Sequence, residues 1–221
     1  MFIPLDYLVV IVISALAVAS AFWFFRKRKE LIVFLRDVTE TLEKHFKPLD
    51  KSYVWLGYLV GYRAKFDLPG NHKAFILLTT VPRHSLFYLP IAKILNRKDR
   101  IEVAVVPYDR FVVGELHVHR RRSWTAEVVA KKGVAEREHE FGVREFRAGE
   151  YSYVAYYRDE KVLDAVEHLM KDTELPILYV STDPRGNIVT ASCEITLDNL
   201  KKFLEFHREL VRAVSRPKAS T

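Results

Sequence analysis

Hydrophobic positions run from Tyr7 to Phe25, 19 residues without a charge, and give way at once to Arg26-Lys27-Arg28-Lys29. At about 1.5 Å of rise per residue, a helix of that length crosses most of a hydrocarbon core of about 30 Å, so the run predicts a transmembrane helix over 7–25. The pattern then changes to apolar residues at helical spacing, Leu31, Phe34, Leu35, Val38, Leu42 and Phe46, with charged residues mainly between them. No Gly or Pro intervenes between Arg26 and Pro48. This spacing predicts that the helix continues over 26–47 as a basic juxtamembrane stalk and turns its apolar stripe onto a domain over 48–215, with a tail at 216–221.

Beyond Pro48, Tyr53 to Phe66 is aromatic and β-branched, and Ala74 to Leu78 follows the turn residues Leu68-Pro69-Gly70-Asn71, which predicts a β-hairpin. Pro82 is expected to open a helical stretch carrying Leu86, Phe87, Ile91, Ile94 and Leu95, with Pro90 bending or restarting it, and a solvated basic tip at Arg97-Lys98-Asp99-Arg100 closing it. Strands are expected at Ile101–Val106, Gly114–His119, Ala126–Ala130 and Tyr151–Tyr157, and Lys131 to Gly149 reads as a charged, mobile loop. A helix over Asp159–Lys171 precedes a strand pair at Ile177–Val180 and Ile188–Ile195, turned by Asp183-Pro184-Arg185-Gly186-Asn187. The last helix takes Thr196 as N-cap, buries Leu197, Leu200, Phe203, Leu204, Leu210, Val211 and Val214, and stops before Pro217. The order of elements predicts an α+β fold with mostly antiparallel pairing behind an N-terminal transmembrane helix.

Charge gives this outline an orientation. Four bases follow the span and one acid precedes it, so the short N-terminus, residues 1–6, is expected outside and the domain in the cytoplasm of a single-pass cell-membrane protein. A cleaved signal peptide would want a basic start, and Phe22-Trp23-Phe24-Phe25 reads instead as an interfacial aromatic belt on an uncleaved anchor. Arg26, Lys27, Arg28 and Lys29 would face anionic headgroups. The chain carries a net charge of +7, which implies an anionic partner. It contains no Gln and four Asn, a usage bias of proteins from hot environments. The single Cys193 makes an intrachain disulfide impossible and reads as a buried, inert thiol.

Candidate chemistry is sparse. His117 and His119 would share one face of a strand, but Arg120-Arg121-Arg122 beside them opposes a divalent cation, and a solvent-facing strand is the simpler expectation. No phosphate-cradling glycine loop, nucleophile elbow or carboxylate constellation is present, so neither enzymatic activity nor a cofactor is expected. What remains is basic surface: Arg97, Lys98 and Arg100 on one loop, Arg120, Arg121 and Arg122 with Trp124 on another, and Lys131 and Lys132 beyond. Such cations bind phosphate backbones, and an adjacent indole stacks on a base.

In order of features the chain resembles the calumin family, the coiled-coil-domain subunit of the PAT chaperone complex of the multipass translocon. The similarity rests on the span running into the helix around Arg28 to Phe46, on Val54-Trp55-Leu56-Gly57-Tyr58, Ala74-Phe75-Ile76-Leu77 and Ile101-Glu102-Val103-Ala104-Val105, and on Leu175 to Val180 with Ile195 to Val214. Two departures stand beside it: no long acidic segment precedes the span, and no charged coiled coil follows the last helix. The resemblance implies a minimal prokaryotic or archaeal accessory factor for membrane-protein insertion. It implies docking on a Sec-type channel or the ribosome and its RNA, and a small membrane-protein partner in the bilayer. Ser14 and Ser20 offer small packing positions for such a partner. The other expectation is a tethered domain binding anionic lipid or RNA in an unrelated role.

Overall fold

A computed structural model describes residues 5–57, 59–85, 88–94, 97–134 and 137–217. Its first element, α1 (Leu5–Phe46), is one uninterrupted helix of 42 residues. Its N-terminal half is long and apolar enough to cross a membrane, and the side chains there are almost all exposed. In its C-terminal half Leu31, Leu35, Val38 and Leu42 are fully buried, so this part of the helix is a core element of the domain. Thr39 Oγ1 lies 2.8 Å from the Tyr62 hydroxyl, and Tyr53 donates to Glu43 Oε1 at 2.6 Å. Higher up, Trp23 Nε1 donates to the Arg83 carbonyl at 3.3 Å, and the Phe24 and His84 rings stand 5.6 Å apart.

The stretch read as one strand of a hairpin is two strands. β1 (Asp50–Trp55) and β2 (Gly61–Asp67) pair with Trp55 opposite Tyr62, and β2 continues into β3 (Lys73–Thr79). Gly61 makes the break possible: its φ is +135°, and a Cβ there would stand 1.9 Å from the Leu78 carbonyl oxygen. The helix expected from Pro82 begins later, at α2 (Tyr88–Ile94), with Pro90 in its first turn, where a missing N–H costs nothing. Leu86, Phe87 and Leu95, assigned to that helix from the sequence, lie outside the described residues, as do the first four and last four positions of the chain.

β4 (Arg100–Val106), β5 (Arg110–Val112) and β6 (Leu116–Arg120) follow. Ala126–Ala130, expected as a strand, is helical and belongs to α3 (Trp124–Val134), which buries Ala126, Ala130 and Val134 at four-residue spacing. The expected mobile loop over 131–149 holds the end of α3, a turn of 3-10 helix at Glu138–Glu140 and the edge strand β7 (Gly142–Ala148). β7 pairs with β8 (Tyr151–Tyr157) along its whole length, and Arg144 holds it to the next helix through Glu160 and through Asp164, the latter at 2.7 Å.

That helix, α4 (Glu160–Thr173), is N-capped by Asp159. β9 (Ile177–Asp183) and β10 (Ile188–Glu194) form the expected hairpin, and α5 (Leu197–Ala213) starts at a capping box in which Thr196 and Asn199 satisfy each other's backbone. Leu197 is exposed rather than buried: it is the first residue of α5, just past the end of the central strand β10. β11 (Ser215–Pro217) runs from the last domain residue into the first two positions read as tail and pairs with β5 in a small ribbon.

Nine strands form one antiparallel sheet in the order β1-β2-β3-β4-β10-β9-β6-β8-β7. Helices α1, α4 and α5 cover one face, where Tyr62, Phe66, Ile76, Ile101, Val103, Val118 and Ala191 meet Leu200, Phe203 and Leu210 in a continuous core. α3 covers part of the other face, over β9 and β6. The chain is therefore an α+β fold with an apolar N-terminal helix and an antiparallel sheet, as its periodicity predicts.

Candidate functional site: a basic concavity at one end of the sheet

Antiparallel register gathers distant loops at one end of the sheet. Thr79 at the end of β3 faces Arg100 at the start of β4, Arg100 faces Glu194 at the end of β10, and His119 on β6 faces Tyr179 on β9. α3 starts four residues after β6 ends, so its first turn sits over the same end. The result is a concavity of about 380 Å³ lined by Arg97, Lys98, Arg100, Arg120, Arg122, Ser123, Trp124, Thr125, Leu178 and Glu194. Arg97, Lys98, Arg100, Thr125 and Leu178 also border a second hollow of about 460 Å³, floored by Leu77, Thr79 and Tyr179 on the sheet face that α3 leaves open.

Five cations thus share one space with one carboxylate. Glu194 takes two of them: Arg120 pairs with it while lying 4.9 Å over the Tyr151 ring, and Lys98 Nζ stands 3.0 Å from its other oxygen. Burial pushes the Glu194 carboxyl up, but the Arg120 and Lys98 charges outweigh it and hold the group below the usual carboxylate range. Of the other three, two donate to neutral hydroxyls and the third is exposed. Arg97 Nη1 donates to the Tyr88 hydroxyl at 2.8 Å, Arg100 Nη1 to Thr125 Oγ1 at 3.4 Å, and Arg122 stands exposed in a left-handed turn at φ +65°. Trp124, 76% exposed, stands beside them in the first turn of α3. Planar guanidinium groups around an open indole suit phosphate oxygens and a stacked base.

Not every candidate cation joins them. Arg121 turns to β7 and pairs with Glu145 at 2.9 Å, Lys131 lies 2.7 Å from Glu127 on the outer side of α3, and Lys132 is exposed on the same helix away from the concavity. On α1, Arg26 and Lys27 both reach Glu30, at 3.4 and 2.5 Å, Lys27 lies 5.4 Å over the Trp23 ring, Arg28 is half-buried and Lys29 is exposed. The basic tip assigned to 97–100 is only partly solvated: Asp99 within it is 2% exposed, accepts from Val81 N at 2.8 Å and pairs with Arg83. Burial pushes its carboxyl up against the lowering pull of those two partners.

The histidine pair corrects the sequence reading more strongly. His117 and His119 do share a face, but α3 covers that face, and both are buried. His117 Nδ1 lies 2.9 Å from Ser181 Oγ, and its Nε2 lies 3.8 Å from Glu115, which Arg137 grips with two hydrogen bonds of 2.7 and 2.9 Å. A row of Ser, His and Glu has the composition of a hydrolytic relay. Here Gly133 of α3 lies directly on the ring, close enough that a Cβ would stand 2.6 Å from His117 Cε1, so the helix backbone occupies the approach a substrate would need. Burial lowers the pKa of both histidines and favours the neutral rings that pack beneath the helix. Gly133→Ala is accordingly expected to cost about 1–3 kcal/mol by overpacking, read as a lower denaturation midpoint and faster hydrogen exchange in α3 of the full chain in nanodiscs. Unchanged exchange would mean that the ring moves aside freely.

Among the described residues no group of three or more His, Cys, Asp or Glu side chains is placed to hold a metal ion. Cys193 is fully buried, its thiol pushed up by burial. Fold and site together define an antiparallel α+β domain built around the continuation of an apolar helix, with a cationic concavity at the sheet end nearer that helix's apolar half. No protein-family model matches the chain, and no curated protein does either.

Proposed function

We propose that this protein is a membrane-anchored accessory factor for membrane-protein insertion, a binding module rather than an enzyme. Its N-terminus lies outside the cell membrane and its domain in the cytoplasm, the side selected by Arg26 to Lys29. The observation that carries the reading is the convergence of Arg97, Arg100, Arg122 and Trp124 on one concavity, at the sheet end from which the chain reaches back to Trp23. A cationic groove held next to a bilayer fits the phosphate backbone of ribosomal RNA where a ribosome sits on a Sec-type channel. The resemblance to the calumin family supports the same setting.

The test is a pull-down of the tagged full chain from native membranes in mild detergent, compared with Arg100→Glu/Arg122→Glu, which leaves the Arg120–Lys98–Glu194 cluster intact. Ribosomes or a Sec-type channel are expected with the native chain and not with the variant, and the salt dependence of binding falls by about two unit charges in the variant. Recovery of neither by the native chain sinks the insertion role. The second reading, docking on anionic lipid, is favoured by the nearness of the groove to the apolar half of α1. It predicts instead that the native chain, and not the variant, draws acidic phospholipids around it.

A further inference from the structure

Between β3 and β4 the chain leaves the sheet and meets α1 before it returns, and contacts of its described residues fasten it. The Arg83 carbonyl accepts from Trp23 Nε1, and the His84 ring meets Phe24, inside the uncharged run of α1. Ser85 O accepts from both Tyr88 N and Leu89 N at 3.2 Å, so α2 starts directly from this anchored stretch. Its other end is fastened by Arg97, whose N donates to Ala92 O at 2.9 Å and whose guanidinium donates to the Tyr88 hydroxyl. Leu89 and Ala92 turn inward, bordering a hollow with Val81, Asp99 and Ile195. Ile91 and Ile94 turn outward, 51% and 83% exposed, although isoleucine is among the residue types most often buried.

We infer that α2 is a second membrane contact, lying in the headgroup layer of the bilayer with Ile91 and Ile94 among the upper acyl chains. The inference rests on the reading of α1 as a span and is independent of the insertion role. Its occupant is lipid because the stretch from which the helix starts, Arg83 and His84, is held to Trp23 and Phe24 of the span, and aromatic residues at the end of a span mark the interface. Arg97, which follows α2 and donates to the hydroxyl of Tyr88, stands where the basic residues of an interfacial helix lie among phosphates. Two attachments, α1 and α2, leave the domain little freedom to swing about its anchor. The basic concavity, which shares Arg97 and Lys98 with the hollow beneath α2, is thereby held at a constant height over the membrane.

The inference is tested on the full chain in phosphatidylcholine vesicles with and without lipids spin-labelled near the top of the acyl chain. A Cys193→Ser background carries an environment-sensitive fluorophore on one new cysteine: Ile94→Cys, Phe22→Cys as a control in the span, or Lys161→Cys as a control on α4. The label at 94 is expected to be quenched several-fold more than at 161, and Ile91→Asp is expected to abolish the difference while leaving quenching at 22 unchanged. Quenching at 22 without quenching at 94 overturns the inference, including the case in which 94 is shielded from water, because protein rather than lipid would then cover α2. Quenching at neither position removes the span itself, and the inference with it.

Discussion

Asp99→Ala is expected to unfasten the excursion between β3 and β4 from the domain, at a cost of about 3 kcal/mol. The carboxylate is 2% exposed and accepts from Val81 N at 2.8 Å, at the point where the chain departs from the sheet. Alanine leaves that buried N–H without its acceptor, and the loss of a satisfied buried hydrogen bond to a charged group is the larger part of the penalty. Arg83, 43% exposed, loses its partner but regains water, so its share is smaller. Asp99→Asn keeps an acceptor for Val81 and is expected to recover most of the loss. Hydrogen exchange of the full chain in nanodiscs reads the effect directly: amide protection around Val81 falls by roughly two orders of magnitude in Asp99→Ala, while that of β8 and α4 changes little. Equal loss across the whole sheet would show that Asp99 supports global stability and not this local attachment.

Acidification is expected to remove a comparable amount through His207. Its ring lies wholly inside the core beneath α5, and burial pushes its pKa down to about 4 against the opposing pull of the Val189 and Val103 backbone. An unfolded histidine titrates near 6.5, so between those values the unfolded chain binds a proton that the folded chain refuses. Stability from this group is therefore complete above pH 6.5 and falls as the pH drops toward 4, by about 3 kcal/mol in all. His117 and His119, also lowered by burial, contribute with the same sign. The measurement is urea unfolding of the full chain in nanodiscs from pH 7.5 to 4, for the native protein and for His207→Leu. The variant is expected to lose the His207 part of the acid limb, so the two curves converge or cross on acidification. Parallel curves would place the acid sensitivity elsewhere.

Where local chemistry carries the signal, the chain could be read directly. The apolar run and basic stop of α1, the i to i+4 stripe from Leu31 to Leu42, the Thr196 N-cap and the Asp183–Asn187 turn each lie within a few residues and need no partner to be recognised. Misreadings fell where a partner decides. Ala126–Ala130 reads as a strand-like run, yet α3 forms because Ala126, Ala130 and Val134 align on one helical face that β9 and β6 can bury. His117 and His119 alternate with apolar neighbours as a solvated strand would, and only the placement of α3, with Gly133 against the ring, makes that face interior.

For the candidate site the division is sharper. The sequence alone determines that the chain has an apolar helix able to cross a membrane, an α+β order behind it, and clusters of Arg and Lys with Trp124 near one of them, because hydrophobic period and charge are local properties. It could not determine that Arg97, Lys98 and Arg100 meet Arg120, Arg122 and Trp124 while Arg121, Lys131 and Lys132 turn away. That depends on β10 and β9 being inserted between β4 and β6, and on a register that puts Arg100 opposite Glu194. Strand order is settled by long-range packing of the sheet beneath its helices, which no window of sequence contains, and so the tertiary structure alone turned dispersed charge into a single concavity.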